Sequence, residues 1–446
     1  MAEVELVFPY ELGKDRPWVL PPLGLGYLAA VLKQRHISFG ITDCTFTGLD
    51  EGIRRIRARR PSIVGVYSMV TLGQNARRIA RELKGEVDFL VCGGPLPTVY
   101  PGQFLTDFDF CVLGEAEYAF AELARCLFDG RDPGRVEGVV SPGNGGKAKH
   151  LRVADLGSVP HPERDGFPNE SYRDYWKANY GYSPASIIAT RGCPYHCDFC
   201  SRPVSGSDFR KRAPKDILDE IGHIIALGYD YLWFADDAFT HDTQLVVDVS
   251  NGIRSLDRGI RWDCLSRTDR IDADLVRTMR QGGLERVYLG MESGSDETLR
   301  LMKKGAKVAD SENALALFSQ HGVKVGGFFM IGYPGETPES IWSTLELSAR
   351  GELDYISYTV PYPLPGSPLY DRMQAYVDPS TEWSRERENV VLYRSEFPET
   401  ALKGAIRLAY EAHALARKDG RGSALELLAE RREELVSRLK GDAGNA

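Results

Sequence analysis

Three of the eight cysteines in this 446-residue chain, Cys193, Cys197 and Cys200, form a C-x3-C-x2-C group. They follow an apolar run, Ile187-Ile188-Ala189-Thr190, with the character of a strand. Thiolates are soft ligands that select iron–sulfur clusters or zinc. Three on one short loop can hold three corners of a cubane and leave one iron without a protein ligand. An open metal position is where exogenous chemistry happens. The competing arrangement is a zinc knuckle with His196 as fourth ligand. His196 abuts Cys197, however, and the sequence holds no second C-x-x-C pair. The cluster is the preferred arrangement. Cys44, Cys92, Cys111, Cys126 and Cys264 are scattered through apolar patterns and are expected to be buried thiols in a reducing compartment.

Short apolar strands expected at 4–8, 37–42, 63–67, 89–91 and 110–113 alternate with helical patterns at 25–35, 49–59, 74–83 and 118–127. That rhythm predicts an α/β fold with a doubly wound, Rossmann-like parallel sheet over residues 1–130. Such sheets bind ligands beyond the carboxyl ends of their strands. The loops there are Pro21-Pro22-Leu23-Gly24, Ser68-Met69-Val70-Thr71, Gly93-Gly94-Pro95 and Gly114-Glu115. Their glycines let the backbone approach a large flat ligand closely.

Residues 131–182 are expected to form a connector. It should contain a hairpin of 136–140 and 148–153, and aromatic residues (Tyr172, Tyr175, Trp176, Tyr180, Tyr182) used in packing. From residue 183 the alternation restarts, with strands expected near 186–191, 230–235, 260–266, 286–291, 323–331 and 354–360. Helices are expected near 214–227, 243–255, 273–281, 310–320 and 338–349. The run Arg210-Lys211-Arg212 is expected to be a solvated face and not a nucleic-acid patch. Residues 373–446 are expected to be helical, over about 398–418 and 422–440, and to cover the mouth of the central domain or help bury a substrate.

Hydrophobic content of 43% and a mean hydropathy of −0.29 are ordinary for a water-exposed fold. No apolar run approaches the ~20 residues of a membrane span, and the acidic start Met1-Ala2-Glu3 is unlike a signal peptide. A cytoplasmic protein without membrane contact is the expectation. The net charge of −8 argues against broad nucleic-acid binding, which depends on neutralising phosphates.

The cysteine spacing, the strand before it and the aromatic Phe199 just ahead of the last cysteine resemble the radical S-adenosylmethionine (SAM) superfamily. The resemblance implies a partial (β/α)6, TIM-like barrel over 183–372 and a 4Fe–4S cluster on Cys193, Cys197 and Cys200. It implies that SAM chelates the open iron and is cleaved to a 5′-deoxyadenosyl radical. Asp236 and Asp237 match the position that contacts the SAM amine, and Arg267 the arginine that pairs with its carboxylate. Glu292-Ser293 resembles the ribose-contacting motif, and Met330 to Glu336, with Gly332, the adenine-side motif.

In the first domain, Pro-Pro-Leu-Gly-Leu-Gly-Tyr-Leu-Ala-Ala, Val-Cys-Gly-Gly-Pro and Val-Leu-Gly-Glu-Ala-Glu resemble the cobalamin-binding domain fused ahead of many radical SAM enzymes. The implied cobalamin contacts are Pro22, Leu23, Gly24, Ser68, Met69, Gly93, Gly94, Pro95, Gly114 and Glu115. One departure stands out. The D-x-H-x-x-G string of proteins with a lower-face histidine has only Asp43-Cys44-Thr45-Phe46-Thr47-Gly48 as a counterpart, and no histidine lies between His36 and His150. That agrees with the radical SAM branch it resembles, which implies that the loop after the third strand, here Ser68 to Thr71, lies beneath the corrin.

Together the resemblances imply a class B radical SAM methyltransferase, transferring a methyl group from methylcobalamin to carbon of a small, natural-product or antibiotic-type substrate. An external electron donor of flavodoxin or ferredoxin type is implied; no catalytic acid or base, substrate or oligomeric state is indicated. The alternatives are a radical oxidoreductase, cyclase or ring-rearranging enzyme and, outside catalysis, a cobalamin or redox sensor. A methylthiotransferase is disfavoured, since the first-domain cysteines lack a second cluster pattern.

Overall fold

A computed structural model describes residues 3–13, 19–144, 149–200, 206–377 and 391–441. Its first sheet contains β1 (Val4–Phe8), β2 (Phe39–Asp43), β3 (Ile63–Tyr67), β4 (Phe89–Gly93), β5 (Phe110–Val112) and β6 (Val139–Val140). Their order is β2-β1-β3-β4-β5-β6, parallel except for β6. The strands read as nearly continuous apolar runs because both faces are covered. On one face α1 (Leu23–Gln34) and α5 (Glu117–Phe128) pack Leu25, Ala29 and Leu32 with Phe120 and Leu123. On the other, α2 (Leu49–Arg59) and α3 (Gly73–Leu83) bury Ile53, Ile56, Ala76, Ile79 and Leu83. In α3 the spacing Ala76, Ile79, Ala80, Leu83 forms one apolar stripe. A short helix α4 (Pro95–Val99) follows β4.

The expected hairpin at 136–140 and 148–153 does not form among the described residues. Val139–Val140 instead pairs antiparallel with β5, and Leu151 bridges to Gly114 just beyond β5. Both arms cap what would otherwise be an open sheet edge. Residues 145–148 of the expected turn lie outside the described residues.

The connector helix α6 (Asn169–Tyr180) docks on the first domain, with Tyr172 and Trp176 fully buried. Tyr172 donates its hydroxyl to Asp43 Oδ2 at 2.7 Å, and Trp176 Nε1 to the Val19 carbonyl at 2.6 Å. Asp43, the start of the D-x-H-like string, is thus a packing partner, and Thr45 also donates to it.

The second sheet has β7 (Pro184–Ile187), then, after the short pair β8 (Thr190–Arg191) and β9 (Arg210–Lys211), β10 (Tyr231–Phe234), β11 (Arg261–Ser266), β12 (Leu284–Glu292), β13 (Lys324–Met330) and β14 (Tyr355–Thr359). The order β7-β10-β11-β12-β13-β14 follows the chain, every pair is parallel, and the sheet is an open, partial barrel. Helices α7 (Pro214–Ala226), α8 (Thr243–Ser255), α9 (Ala273–Gln281), α10 (Asp296–Leu301), α11 (Val308–Gln320) and α12 (Pro338–Ser348) form the crossovers. The single strand expected at 186–191 is split. Asp236 takes the N–H groups of Ala189 and Thr190, drawing the chain off the edge of β10 and into the β8–β9 pair.

After α13 (Pro368–Met373), residues around Tyr370, Val377 and Tyr393 pack against the first domain. The last helices, α14 (Glu399–Asp419) and α15 (Arg421–Leu439), contribute Leu402, Ala405, Ala409 and Leu428 to the barrel core. They lie against α12, and α14 also against β14, so they flank the side of the barrel, with Leu402 reaching Gly332 beyond the carboxyl end of β13. The apolar residues Tyr358 and Val360 at β14 would otherwise face water. Among the described residues no helix is long and apolar enough to cross a membrane.

Candidate active site between the two sheets

The carboxyl ends of the two sheets face one cavity of about 310 Å³. The first domain supplies Gly24, Tyr67, Gly93, Gly94, Pro95 and Gly114; the barrel supplies Ile188, Thr190, Arg191, Ala235 and Asp237. Gly94 shows why this wall needs glycine. Its φ is +114°, and a Cβ there would stand 2.4 Å from the Ser68 carbonyl oxygen. At Gly114, φ +77°, a Cβ would strike the Leu151 backbone.

Cys197 is buried, and Cys193 and Cys200 are half-buried. Burial pushes the Cys193 thiol up and the Cys200 thiol up to about 12, with Cys197 and Asp237 adding to both shifts. Such thiols stay protonated until a metal displaces the proton, as thiolate ligation does. Three thiols on one loop, with the cation of Arg267 beside them, suit an iron–sulfur cluster.

The loop is held from below. Asp198, buried, accepts from the Tyr333 hydroxyl and forms an ion pair with Arg372 at 3.0 Å. Its N–H donates to the Met302 carbonyl, and its carbonyl accepts from Leu369 N–H. Phe199 packs on Met302, Met330, Tyr333 and Leu369, so its visible role is to fasten the loop. Arg267 gives Nε and Nη2 to the two oxygens of Asp269 (2.8 and 2.9 Å), and Nη2 also to the Lys304 carbonyl. Its Nη1 stands 3.8 Å from Cys197 Sγ, and its plane lies 3.7 Å from the Tyr195 ring centroid.

The structure separates the other expected contacts. Asp237 is exposed and lines the cavity; Asp236 does not. Asp236 is buried and accepts from Ala189 N–H, Thr190 N–H and the Thr190 hydroxyl, so its expected contact with an amine is corrected to a backbone clamp. Burial pushes its carboxyl up to about 7 against those bonds. Ser293, wholly buried, pairs with the Thr344 hydroxyl at 3.0 Å. Glu292, in a left-handed conformation (φ +62°) at a sheet irregularity, pairs with Lys304 Nζ at 2.7 Å. Gly332 turns toward α14, where a Cβ would meet Leu402; its N–H donates to Glu336, and its carbonyl accepts from Tyr393. Ser293 and Gly332 are thus corrected to structural positions.

Of the cobalamin contacts implied for the first domain, Gly24, Gly93, Gly94, Pro95, Gly114 and Glu115 border the cavity, whereas Pro22, Leu23, Ser68 and Met69 are not among its lining residues. Ser68 is wholly buried and Met69 is surface-exposed, its sulfur 3.9 Å from the Tyr67 hydroxyl. Tyr67, just before that loop, lines the cavity instead. Its position at the carboxyl end of β3 could have identified it. Glu115 is consumed at the domain joint. Burial would raise its pKa, but bonds from Arg210 and Val153 N–H and the charge of Arg191 prevail and hold it below the usual value. Arg210 is therefore no solvated cation. Arg212 is likewise buried, bonded to Glu220 and Asp216, and Lys211 pairs with Asp242. Tyr27, Arg191 and Glu117 are cavity residues that the sequence reading passed over.

Residues 187–348 match the radical SAM superfamily, and residues 14–124 match the B12 binding domain. An uncharacterized methyltransferase of Pyrococcus horikoshii is 30% identical over 79% of this chain and 78% of its own length. An anaerobic magnesium-protoporphyrin IX monomethyl ester cyclase of Rubrivivax gelatinosus is 26% identical over 79% of this chain and 66% of its own. The structure of the radical SAM methyltransferase TsrM from Kitasatospora setae, with cobalamin and a [4Fe-4S] cluster bound, superposes with a TM-score of 0.70 at 19% identity, covering 84% of this chain and 75% of that one. The chain belongs to the radical SAM enzymes that carry a B12-binding domain, within their methyltransferase family. The cofactors of that family are a 4Fe–4S cluster, SAM and cobalamin, and the cysteine loop and glycine-lined cavity fit them.

Proposed function

We infer that this enzyme is a cobalamin-dependent radical SAM C-methyltransferase acting on a small-molecule substrate. The observation that carries the reading is a cavity shared by the two domains, with Asp237 on its wall and close enough to Cys193 to raise its thiol pKa. Methylation of an unactivated carbon requires hydrogen removal and methyl delivery at one atom, so both cofactor sites must open onto one space. When bound, the cluster with SAM supplies the initiating radical, and cobalamin supplies the methyl group.

The chain's own residues align and enclose these groups. Cys193, Cys197 and Cys200 would hold the cluster, and Asp237 would face the SAM amine as the one carboxylate of its pair left open to the cavity. Arg267, fixed by Asp269, would turn its Nη1, which stands 3.8 Å from Cys197 Sγ, toward the SAM carboxylate. The first-domain glycines would let the corrin lie against backbone. The electron donor is proposed to be a small flavin or iron–sulfur protein.

A second reading, ring formation, draws on the similarity to the anaerobic cyclase. Anaerobic reconstitution with iron, sulfide and hydroxocobalamin, then SAM bearing a trideuterated methyl group and a strong reductant, separates them by mass spectrometry. Methyltransferase activity predicts a labelled methyl group on bound cobalamin and, with acceptor candidates, on product carbon. Deoxyadenosine release without any label on cobalamin would overturn the reading in favour of the cyclase type.

A further inference from the structure

Charged groups border the cavity around the domain joint: Glu115 and Glu117 from the first domain, and Arg191 and Asp237 from the barrel. Glu115 is saturated. Its two oxygens accept from Arg210 at 2.7 and 2.8 Å, and one also accepts from Val153 N–H at 2.7 Å. Arg191 binds Glu117 at 2.7 Å through Oε1, approaches Glu115 at 3.4 Å, and lies 4.9 Å from the centroid of the Tyr27 ring. Glu117 differs from its neighbours. It is only 6% exposed, it lines the cavity, and its Oε2 has no hydrogen-bond partner.

A buried carboxylate oxygen without a partner carries a desolvation penalty that native structures rarely leave standing. Inside a ligand cavity, its natural complement is a donor brought by the ligand. The oxygen belongs to an acidic side chain, and a second one, Asp237, borders the same space. Phosphate and carboxylate groups are therefore disfavoured, and neutral N–H or O–H donors are selected. The remaining wall is largely glycine and apolar side chain, suited to a broad ligand whose polar groups sit at its rim. A corrin ring has that form, with neutral carboxamides around its edge.

We propose that Glu117 Oε2 accepts a hydrogen bond from a peripheral carboxamide N–H of cobalamin, while Arg191 holds the other oxygen and so aims it. This rests on the cobalamin reading above. Glu117 begins α5 of the first domain and Arg191 ends β8 of the barrel, so the same carboxylate joins the cofactor to the domain interface.

The test is equilibrium titration of the cofactor-free protein, followed by visible absorbance. The probes are hydroxocobalamin and a panel of its monocarboxylates, each with one peripheral carboxamide converted to a carboxylate. Wild type should bind at least one panel member about tenfold or more weakly than hydroxocobalamin, because two carboxylates would then face each other. Glu117→Gln, which keeps shape and an acceptor for Arg191, should remove most of that discrimination and bind hydroxocobalamin severalfold more weakly. Equal binding of hydroxocobalamin and every panel member by wild type overturns the proposal and needs no variant to be read. Unchanged discrimination in a folded Glu117→Gln protein also overturns it. Failure of wild type to bind hydroxocobalamin at all instead overturns the cobalamin reading, and the proposal with it.

Discussion

The two sheets meet at their carboxyl ends, yet each furnishes its half of the cavity differently. The first-domain half is mostly backbone and apolar surface, with Gly24, Gly93, Gly94 and Pro95 bare of polar side chains. The barrel end is rich in polar residues, but most are spent on one another. Asp236 clamps Thr190, Glu292 holds Lys304, Ser293 holds Thr344, and Glu336 holds the backbone of Gly332 and Tyr333. A wide flat cofactor is accommodated by shape. A small charged one needs a few polar groups in the right place and many others to keep them there.

The largest effect should come at the barrel end. Replacing Cys193, Cys197 and Cys200 together with Ala should abolish iron–sulfur absorbance and all SAM cleavage after reconstitution, while hydroxocobalamin still binds. Retained cleavage would break the division of labour between the halves. Gly94→Val is the converse. The left-handed backbone alone costs about 1–3 kcal/mol in a residue with a side chain, and the added carbon collides with the Ser68 carbonyl. Cobalamin binding should fall at least about tenfold, with the iron content unchanged.

Glu115→Ala tests the joint between the halves. It leaves Arg210 and Arg191 short of a nearly buried partner, and breaking such a pair costs about 3–5 kcal/mol. Thermal unfolding should separate into two transitions, and a single unshifted one would refute the joint. Glu336→Gln sharpens the claim that barrel polar groups act on structure. Burial pushes Glu336 up to about 8 from an ordinary 4.5. Between those values the folded chain keeps a proton the unfolded chain has released, so stability falls as pH rises through the window and levels above it. The variant should lack that slope, matching wild type near pH 4 and melting a few degrees higher near pH 9. Lys215→Ala, in an ion pair whose lysine is 85% exposed, should change stability by less than about 0.5 kcal/mol.

Much of the architecture was legible in local pattern. The helices at 243–255 and 273–281 were expected at their observed bounds, Thr243–Ser255 and Ala273–Gln281, because each carries a clear apolar stripe. The hairpin at 136–140 and 148–153 was misjudged because each two-residue pairing is weak, and the open edge beside Val112 outcompeted a local turn. Lys211 is exposed as expected, whereas Arg210 is held by Glu115, distant in sequence, and Arg212 by Glu220 on the helix that follows it. Asp236 and Asp237 were indistinguishable as letters. Only the alternation of a strand end, with one side chain turned into the protein and the other into the cavity, separates them.

The chain by itself determined the class of chemistry, because thiol ligands must sit within one short loop and their spacing is a local property. It also determined the two α/β units, because strand and helix periodicity are local too. Only the tertiary structure decided which polar residues are free. Whether a carboxylate binds a ligand or a neighbouring backbone depends on what the fold brings within about 3 Å of it. For Glu117 that means one oxygen held by Arg191 and one buried without a hydrogen-bond partner.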